Sequence, residues 1–122
     1  LGDIGPLIKA SKTFKDGLKI AKTNLEKTGT AQHFVFCYER SWKYMKRILA
    51  YRGVDDTLQS PRELIRSAVQ NELISSTELW VFYLEKRGLV VHAYNEDILE
   101  IIFKDLPGFE KELDAFLQKI RA

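Results

Sequence analysis

The sequence predicts an all-α protein, an antiparallel four-helix bundle with one or two additional short helices. Three observations predict it. Apolar residues recur three and four positions apart along most of the chain, the period of a helix with one buried face. The segments between these runs are short and carry helix-capping residues. Alternation of apolar and polar residues never lasts, and Leu89 to Val91 is the only β-like patch. At 122 residues the chain is long enough to bury one real core and too short for two, so residues 1–122 are expected to form a single helical domain.

Leu1 to Pro6 carry two glycines and a proline and are expected to be a loose lead-in. From Leu7 the pattern is helical. Phe14, Leu18, Ala21 and Leu25 form the apolar seam, and Lys27-Thr28-Gly29-Thr30 is the expected end. A second helix is expected from about Ala31 to Tyr51. Its stripe of Phe34, Tyr38, Trp42, Met45 and Leu49 suits the centre of a bundle, because aromatic side chains bury the most area. Arg52-Gly53 closes it, and Val54 to Gln59 reads as a polar connection. Ser60-Pro61-Arg62-Glu63 starts a third helix, with Ser60 as cap, Pro61 in the first turn and Glu63 completing a capping box. Ser75-Ser76-Thr77-Glu78 repeats that grammar ahead of a shorter helix from Leu79 to Arg87. Asn95 is positioned to cap the next helix, with Glu96 and Asp97 in its first turn. Leu106-Pro107-Gly108 is expected to interrupt it, and Phe109, Leu113, Phe116, Leu117 and Ile120 mark a last helix.

Nineteen basic against seventeen acidic residues leave a net charge of +2, so bulk charge does not advertise nucleic-acid binding. Locally, Lys12, Lys15, Lys19 and Lys22 form one basic ridge and Arg40, Lys43 and Arg47 another; such ridges track phosphates or are solvated faces. The single Cys37 rules out an internal disulfide and fits a reducing compartment. His33 and Cys37 lie four apart, but two ligands do not make a zinc site. Cys37 is expected to be a core thiol, and no metal site and no cofactor are expected. No apolar run would span a bilayer and no signal peptide is visible, so the cytoplasm is the expected compartment.

The chemistry-bearing stretch is Arg87-Gly88-Leu89-Val90-Val91-His92-Ala93-Tyr94. Gly88 reads as a left-handed helix stop, and the β-branched Val90–Val91 pair favours a break. In an extended segment His92 and Tyr94 would then share one side. Were the helix to continue, Arg87 and His92 would lie about 140° apart around its axis. Arginine forks onto phosphate oxygens and histidine moves protons near neutral pH, which together suffice for phosphodiester cleavage without a metal. The alternative is a surface arginine, a helix-end histidine and a half-buried tyrosine packed on Trp80 or the following helix.

Arg87, His92 and Tyr94, followed by Asn95-Glu96, resemble the motif of the HEPN superfamily in its nucleotidyltransferase substrate-binding branch. The resemblance extends to Gln32, Phe34, Glu39, Trp42-Lys43 and Lys46, to Ser60-Pro61-Arg62-Glu63-Leu64, Arg66 and Ala68, and to Leu73-Ile74 and Trp80. It implies a helical subunit that pairs with a separate minimal nucleotidyltransferase. It further implies a toxin acting as a metal-independent endoribonuclease, with Arg87 and His92 as catalytic residues. Glu39 and Asn95 would support them, Glu39 as a buried acid paired with an arginine. The family builds its cleft from two protomers, so a homodimer acting on RNA is implied. The motif tyrosine, here Tyr94, is the position where the partner transfers AMP to silence the toxin. Many members have a polar residue directly after the arginine, and this chain has Gly88; Val91 likewise replaces a small polar residue before the histidine. The other implied role is a non-catalytic substrate-binding subunit that complements the nucleotidyltransferase. A purely structural dimeric bundle is the weaker third.

Overall fold

Helix starts in this chain coincide with polar side chains that accept free backbone N–H groups. In the computed structural model, which describes residues 3–54 and 60–121, five α-helices result: α1 (Gly5–Ile20), α2 (Asn24–Tyr51), α3 (Pro61–Gln70), α4 (Thr77–Leu89) and α5 (Glu96–Arg121). A 3-10 turn, Val90–His92, joins α4 to α5, and no strand occurs among the described residues. The two long helices, α2 and α5, form the spine. α1 folds back along α2, while α3 and α4 pack beside them.

The first break falls earlier than the apolar spacing implies. α1 ends at Ile20, and Thr23 starts α2 through a complete capping box with Glu26. The Thr23 hydroxyl accepts from the Glu26 N–H at 3.1 Å, and the Glu26 carboxylate accepts from the Thr23 N–H at 2.9 Å. Donation from the N–H groups of Thr23 and Lys22, and from the Thr23 hydroxyl, holds the Glu26 carboxyl below its usual value. Gly29, expected near a helix end, lies inside α2. Leu25, expected in the seam of the first helix, stands 83% exposed.

α2 closes at Gly53, whose φ of +86° lets the Val54 N–H reach the Leu49 carbonyl and the Gly53 N–H reach that of Ala50. The same double bond ends α3, with Glu72 in the left-handed position at φ +62°. Ser60 and Ser76 cap α3 and α4 as expected, accepting from the N–H groups of Glu63 and Leu79. The expected polar connection from Val54 lies outside the described residues over positions 55–59.

Pro107 does not interrupt the last helix; α5 runs through it. Leu99, Ile102, Leu106, Phe109, Leu113 and Phe116 are all buried, on one continuous stripe that spans the proline. A proline inside a helix costs roughly 3 kcal/mol. Burying several large apolar side chains on one face, at about 1.5–3 kcal/mol each, outweighs that.

The core is one contiguous cluster. At its centre Phe109 meets the rings of Phe14, Phe34, Tyr38, Trp80 and Tyr83 at centroid distances between 4.9 and 5.9 Å. Cys37 is fully buried, and burial pushes its thiol up to about 12. That is the inert core thiol the sequence implies.

Two glycines make opposite demands. A Cβ on Gly17 would overlap the Oγ1 of Thr30, a buried side chain held by its bond to the Glu26 carbonyl at 2.9 Å. Nothing lies within 4 Å of a Cβ on Gly88. Gly17→Ala should therefore lose up to about 2 kcal/mol net, overpacking exceeding the gain in helix propensity. Gly88→Ala should gain about 0.5–1 kcal/mol. Thermal melts of the two variants test this, and a destabilising Gly88→Ala would contradict a helical Gly88.

Candidate functional site

Trp80, Tyr83, Arg87 and Val90 follow one another at spacings of three, four and three, so they lie along one side of α4. Trp80, Tyr83 and Val90 are buried there, and Arg87 emerges half-exposed beside them. This stripe carries the helix past Gly88. The expected left-handed stop is not made, and α4 continues to Leu89 before tightening into the 3-10 turn. An internal glycine costs about 1 kcal/mol, less than the burial of Val90 returns.

The turn decides what faces solvent. Residues three apart eclipse in a 3-10 helix, so Val90 and Ala93 both point into the core, at 5% and 4% exposure. Val91, His92 and Tyr94 are left outside, with Tyr94 83% exposed. His92 and Tyr94 do share one side, their rings edge to face at 6.4 Å. A tight turn rather than an extended segment brings them together, and Tyr94 packs on neither Trp80 nor α5. Asn95 closes the stretch as a cap: its Oδ1 accepts from the N–H groups of Asp97 at 2.9 Å and Ile98 at 3.1 Å. The start of α5 is tied to the start of α2, Asn24 donating to Glu96 at 2.9 Å and Lys27 to Glu100 at 2.7 Å.

Arg87 turns the other way, toward α2. Its Nη1 lies 3.6 Å from Oε1 of Glu39. The acid–arginine pair expected for Glu39 is thus made, but Glu39 is not buried: its side chain is 47% exposed. Among the described residues no hydrogen bond joins Arg87 to His92.

Arg87 forms one wall of a cleft of about 140 Å³ between α2, α3 and α4. Tyr38, Glu39, Trp42 and Lys43 line it from α2, with Pro61 and Leu84 closing the other sides. The phenol of Tyr38 donates to the Trp80 carbonyl at 2.7 Å. Burial holds it well above its usual range and the nearby Arg87 charge opposes this only in part, so it stays neutral. The cleft itself was not read from the sequence. Its signal is the spacing of Tyr38, Glu39, Trp42 and Lys43, paired positions one helical turn apart on α2. Arg62, a motif match, pairs with Glu85 at 3.7 Å on the surface.

Among the described residues no three His, Cys, Asp or Glu side chains group to hold a metal, and no helix is long and apolar enough to cross a membrane.

A family model described as nucleotidyltransferase substrate binding protein like matches residues 3–122. The chain belongs to that family. This is the branch of the HEPN superfamily that its motif resembles. A Haemophilus influenzae (strain Rd) protein named "Probable ribonuclease HepT" is 28% identical over 96 residues, covering 76% of this chain and 66% of that relative. The match thus spans just under two thirds of the relative's length. Two solved structures share the fold. A Haemophilus influenzae protein, described as having the fold of a substrate binding domain of a nucleotidyltransferase, superposes with a TM-score of 0.89 at 22% identity. The match covers 98% of this chain and all of that one. A Thermus thermophilus protein superposes with a TM-score of 0.85 at 27% identity, covering 95% and 99% of the two chains. The all-α architecture of the family is therefore the architecture of this chain, with α3 and the 3-10 turn as the short additions to four principal helices.

Proposed function

We propose that this protein is the HEPN subunit of a two-component system with a minimal nucleotidyltransferase, a toxin that cleaves RNA without a metal and is silenced by AMP transfer to Tyr94. The observation that carries this reading is the exposed His92–Tyr94 pair, held outward by the buried Val90 and Ala93 on the same helical rod that carries Arg87. Membership in the family and the relative named as a ribonuclease support it.

One histidine is too few for separate acid and base roles, and Arg87 is turned toward Glu39 while the His92 ring meets Tyr94. A two-fold dimer with the 3-10 turns near the axis would supply two of each. Val91, 74% exposed beside His92, offers apolar surface for such a contact. In the dimer, His92 takes the proton of a ribose 2′-hydroxyl as its oxygen attacks phosphorus. The second protomer's copy of the same histidine gives a proton to the departing 5′-oxygen. Arg87 forks onto the non-bridging oxygens, where negative charge builds. The products are a 2′,3′-cyclic phosphate and a 5′-hydroxyl.

Silencing works at the same surface. The Tyr94 phenolic oxygen attacks the α-phosphorus of ATP in the transferase's active site, pyrophosphate leaves, and the phenol proton passes to the transferase. The new phosphodiester then stands one ring away from His92, where it excludes an RNA phosphate by charge and bulk. Intact-mass spectrometry after co-expression with the cognate nucleotidyltransferase tests the step. One AMP moiety is expected on the native chain and none on Tyr94→Phe. No adduct, or one that persists in Tyr94→Phe, would remove Tyr94 from the mechanism.

The second reading is a non-catalytic subunit that presents substrate to the transferase. Gly88 favours it, since it offers no polar side chain beside Arg87 and has open space around it.

A further inference from the structure

The second half of α2 and its C-cap carry five basic residues from Arg40 to Arg52 and no carboxylate over that span. Five cations elsewhere are matched: Lys15 pairs with Asp114, Lys27 with Glu100, Arg62 with Glu85, Lys86 with Asp105 and Arg87 with Glu39. Arg52 donates to the Asn71 carbonyl at 2.8 Å. Among the described residues, Lys43, Lys46 and Arg47 have no carboxylate partner. Lys46 and Arg47 instead rest over aromatic rings of their own helix, Lys46 over Trp42 at 5.7 Å and Arg47 over Tyr44 at 5.6 Å. Such contacts restrain the stems and fix where the charges stand.

This strip is continuous with the candidate site. Lys43 lines the Arg87 cleft on one side and, with Lys46, Arg47 and Ala50, a shallow depression of about 290 Å³ on the other. Lys46 and Arg47 stand three and four residues past Lys43, one helical turn or ~5 Å along the axis. That is close enough to meet successive phosphates of one strand, which advance by ~3.4 Å per nucleotide in a stacked helix and further when unstacked. The cleft, of about 140 Å³, is lined by Trp42, the Glu39 carboxylate and the Arg87 guanidinium. Aromatic and guanidinium planes are the surfaces on which unpaired bases stack.

We propose that Lys43, Lys46 and Arg47 hold the phosphodiester backbone of single-stranded RNA and lead it into the cleft at Arg87. The proposal rests on the RNA-cleaving reading above and assigns to it a substrate track outside the Arg87–His92 pair. The three cations are positioning residues, since they touch the strand away from the broken bond.

The test is the triple variant Lys43→Gln/Lys46→Gln/Arg47→Gln in the full chain. Its control is Lys12→Gln/Lys19→Gln/Lys22→Gln, which removes the same charge from the exposed ridge on and just after α1. Binding is read by fluorescence anisotropy on a labelled mixed-sequence oligoribonucleotide, in a His92→Ala background and over a range of salt. Circular dichroism checks that helix content is kept. Each lost phosphate contact on a single strand removes about 0.7 from the salt slope. The α2 variant should lose about 2 from the slope and, at ~0.1 M salt, on the order of 100-fold in affinity. The α1 control should match the parent. In the catalytic background, KM should rise with kcat little changed. An unchanged slope, or an equal loss in the α1 control, would overturn the proposal. So would a variant that keeps RNA affinity but no longer co-purifies with the nucleotidyltransferase, which would make the strip a surface for that protein. If the native chain cleaves RNA and the strip is inert, this inference alone falls. If the native chain neither binds nor cleaves RNA, the RNA reading falls with it.

Discussion

Phe109→Ala is expected to remove about 3–5 kcal/mol of folding free energy, the range for deleting a buried aromatic ring. Phe109 is fully buried and touches five other rings drawn from α1, α2 and α4, so its loss leaves a cavity no single neighbour can fill. Edge-to-face pairs add roughly 0.5–1.5 kcal/mol each beyond area, which puts the effect toward the upper end. A domain of this size has about 5–15 kcal/mol in total, so the variant should be marginal at 37 °C. In urea, with a slope of about 1–3 kcal/mol per molar, the midpoint should drop by one to several molar while the slope holds. Leu25→Ala, at an 83% exposed position, should change stability by no more than about 0.5 kcal/mol. A loss below ~1 kcal/mol for Phe109→Ala would mean the rings can repack, and the central place given to Phe109 would be wrong.

Arg87→Ala and His92→Ala should each lower RNA cleavage by about 10²–10⁴-fold, the usual range for removing a general acid–base or a preorganised charge at the reacting centre. Neither change should unfold the protein. His92 is exposed, and its ring meets the exposed Tyr94. Arg87 gives up a half-exposed pair with Glu39, and such pairs contribute about 0–1 kcal/mol. Arg87→Lys keeps the charge but loses the two-pronged grip on phosphate, and should recover only part of the rate. Single-turnover cleavage of a labelled RNA with chelator present is the measurement. A fall of less than about fivefold in either alanine variant would take that residue out of the chemistry. A native protein without cleavage, alongside intact pairing with the transferase, would favour the non-catalytic subunit.

Much of the architecture was legible because burial follows helical period, and the stripe from Phe34 through Tyr38 and Met45 to Leu49 is buried as spaced. The misreadings share one cause. Local punctuation does not say which face of a helix will be buried. Gly88, Gly29 and Pro107 are breakers by composition, yet each sits in a helix whose packed residues lie on both sides of it. Leu25 fitted the apolar spacing and concealed the Thr23–Glu26 box around it. At the candidate site, Arg87, His92, Tyr94 and the Asn95 cap were legible as a motif. Two things were not. The outward placement of Tyr94 depends on Val90 and Ala93 being drawn inward, and the approach of Arg87 to Glu39 joins two distant parts of the sequence that only tertiary packing brings together.

The anchoring of the 3-10 turn has a consequence for recognition. Val90 and Ala93 hold it from below, the Asn95 cap closes its far end, and the Asn24–Glu96 and Lys27–Glu100 contacts fasten the helix that follows. Tyr94 is therefore presented as a fixed projection with little backbone freedom left to lose. If an enzyme modifies Tyr94 as proposed, it meets a target already ordered, and the conformational entropy that a floppy acceptor loop would forfeit on docking has been given up during folding. Recognition can then rely on shape and timing of encounter, with a small interface sufficing where a disordered tail would need a larger one.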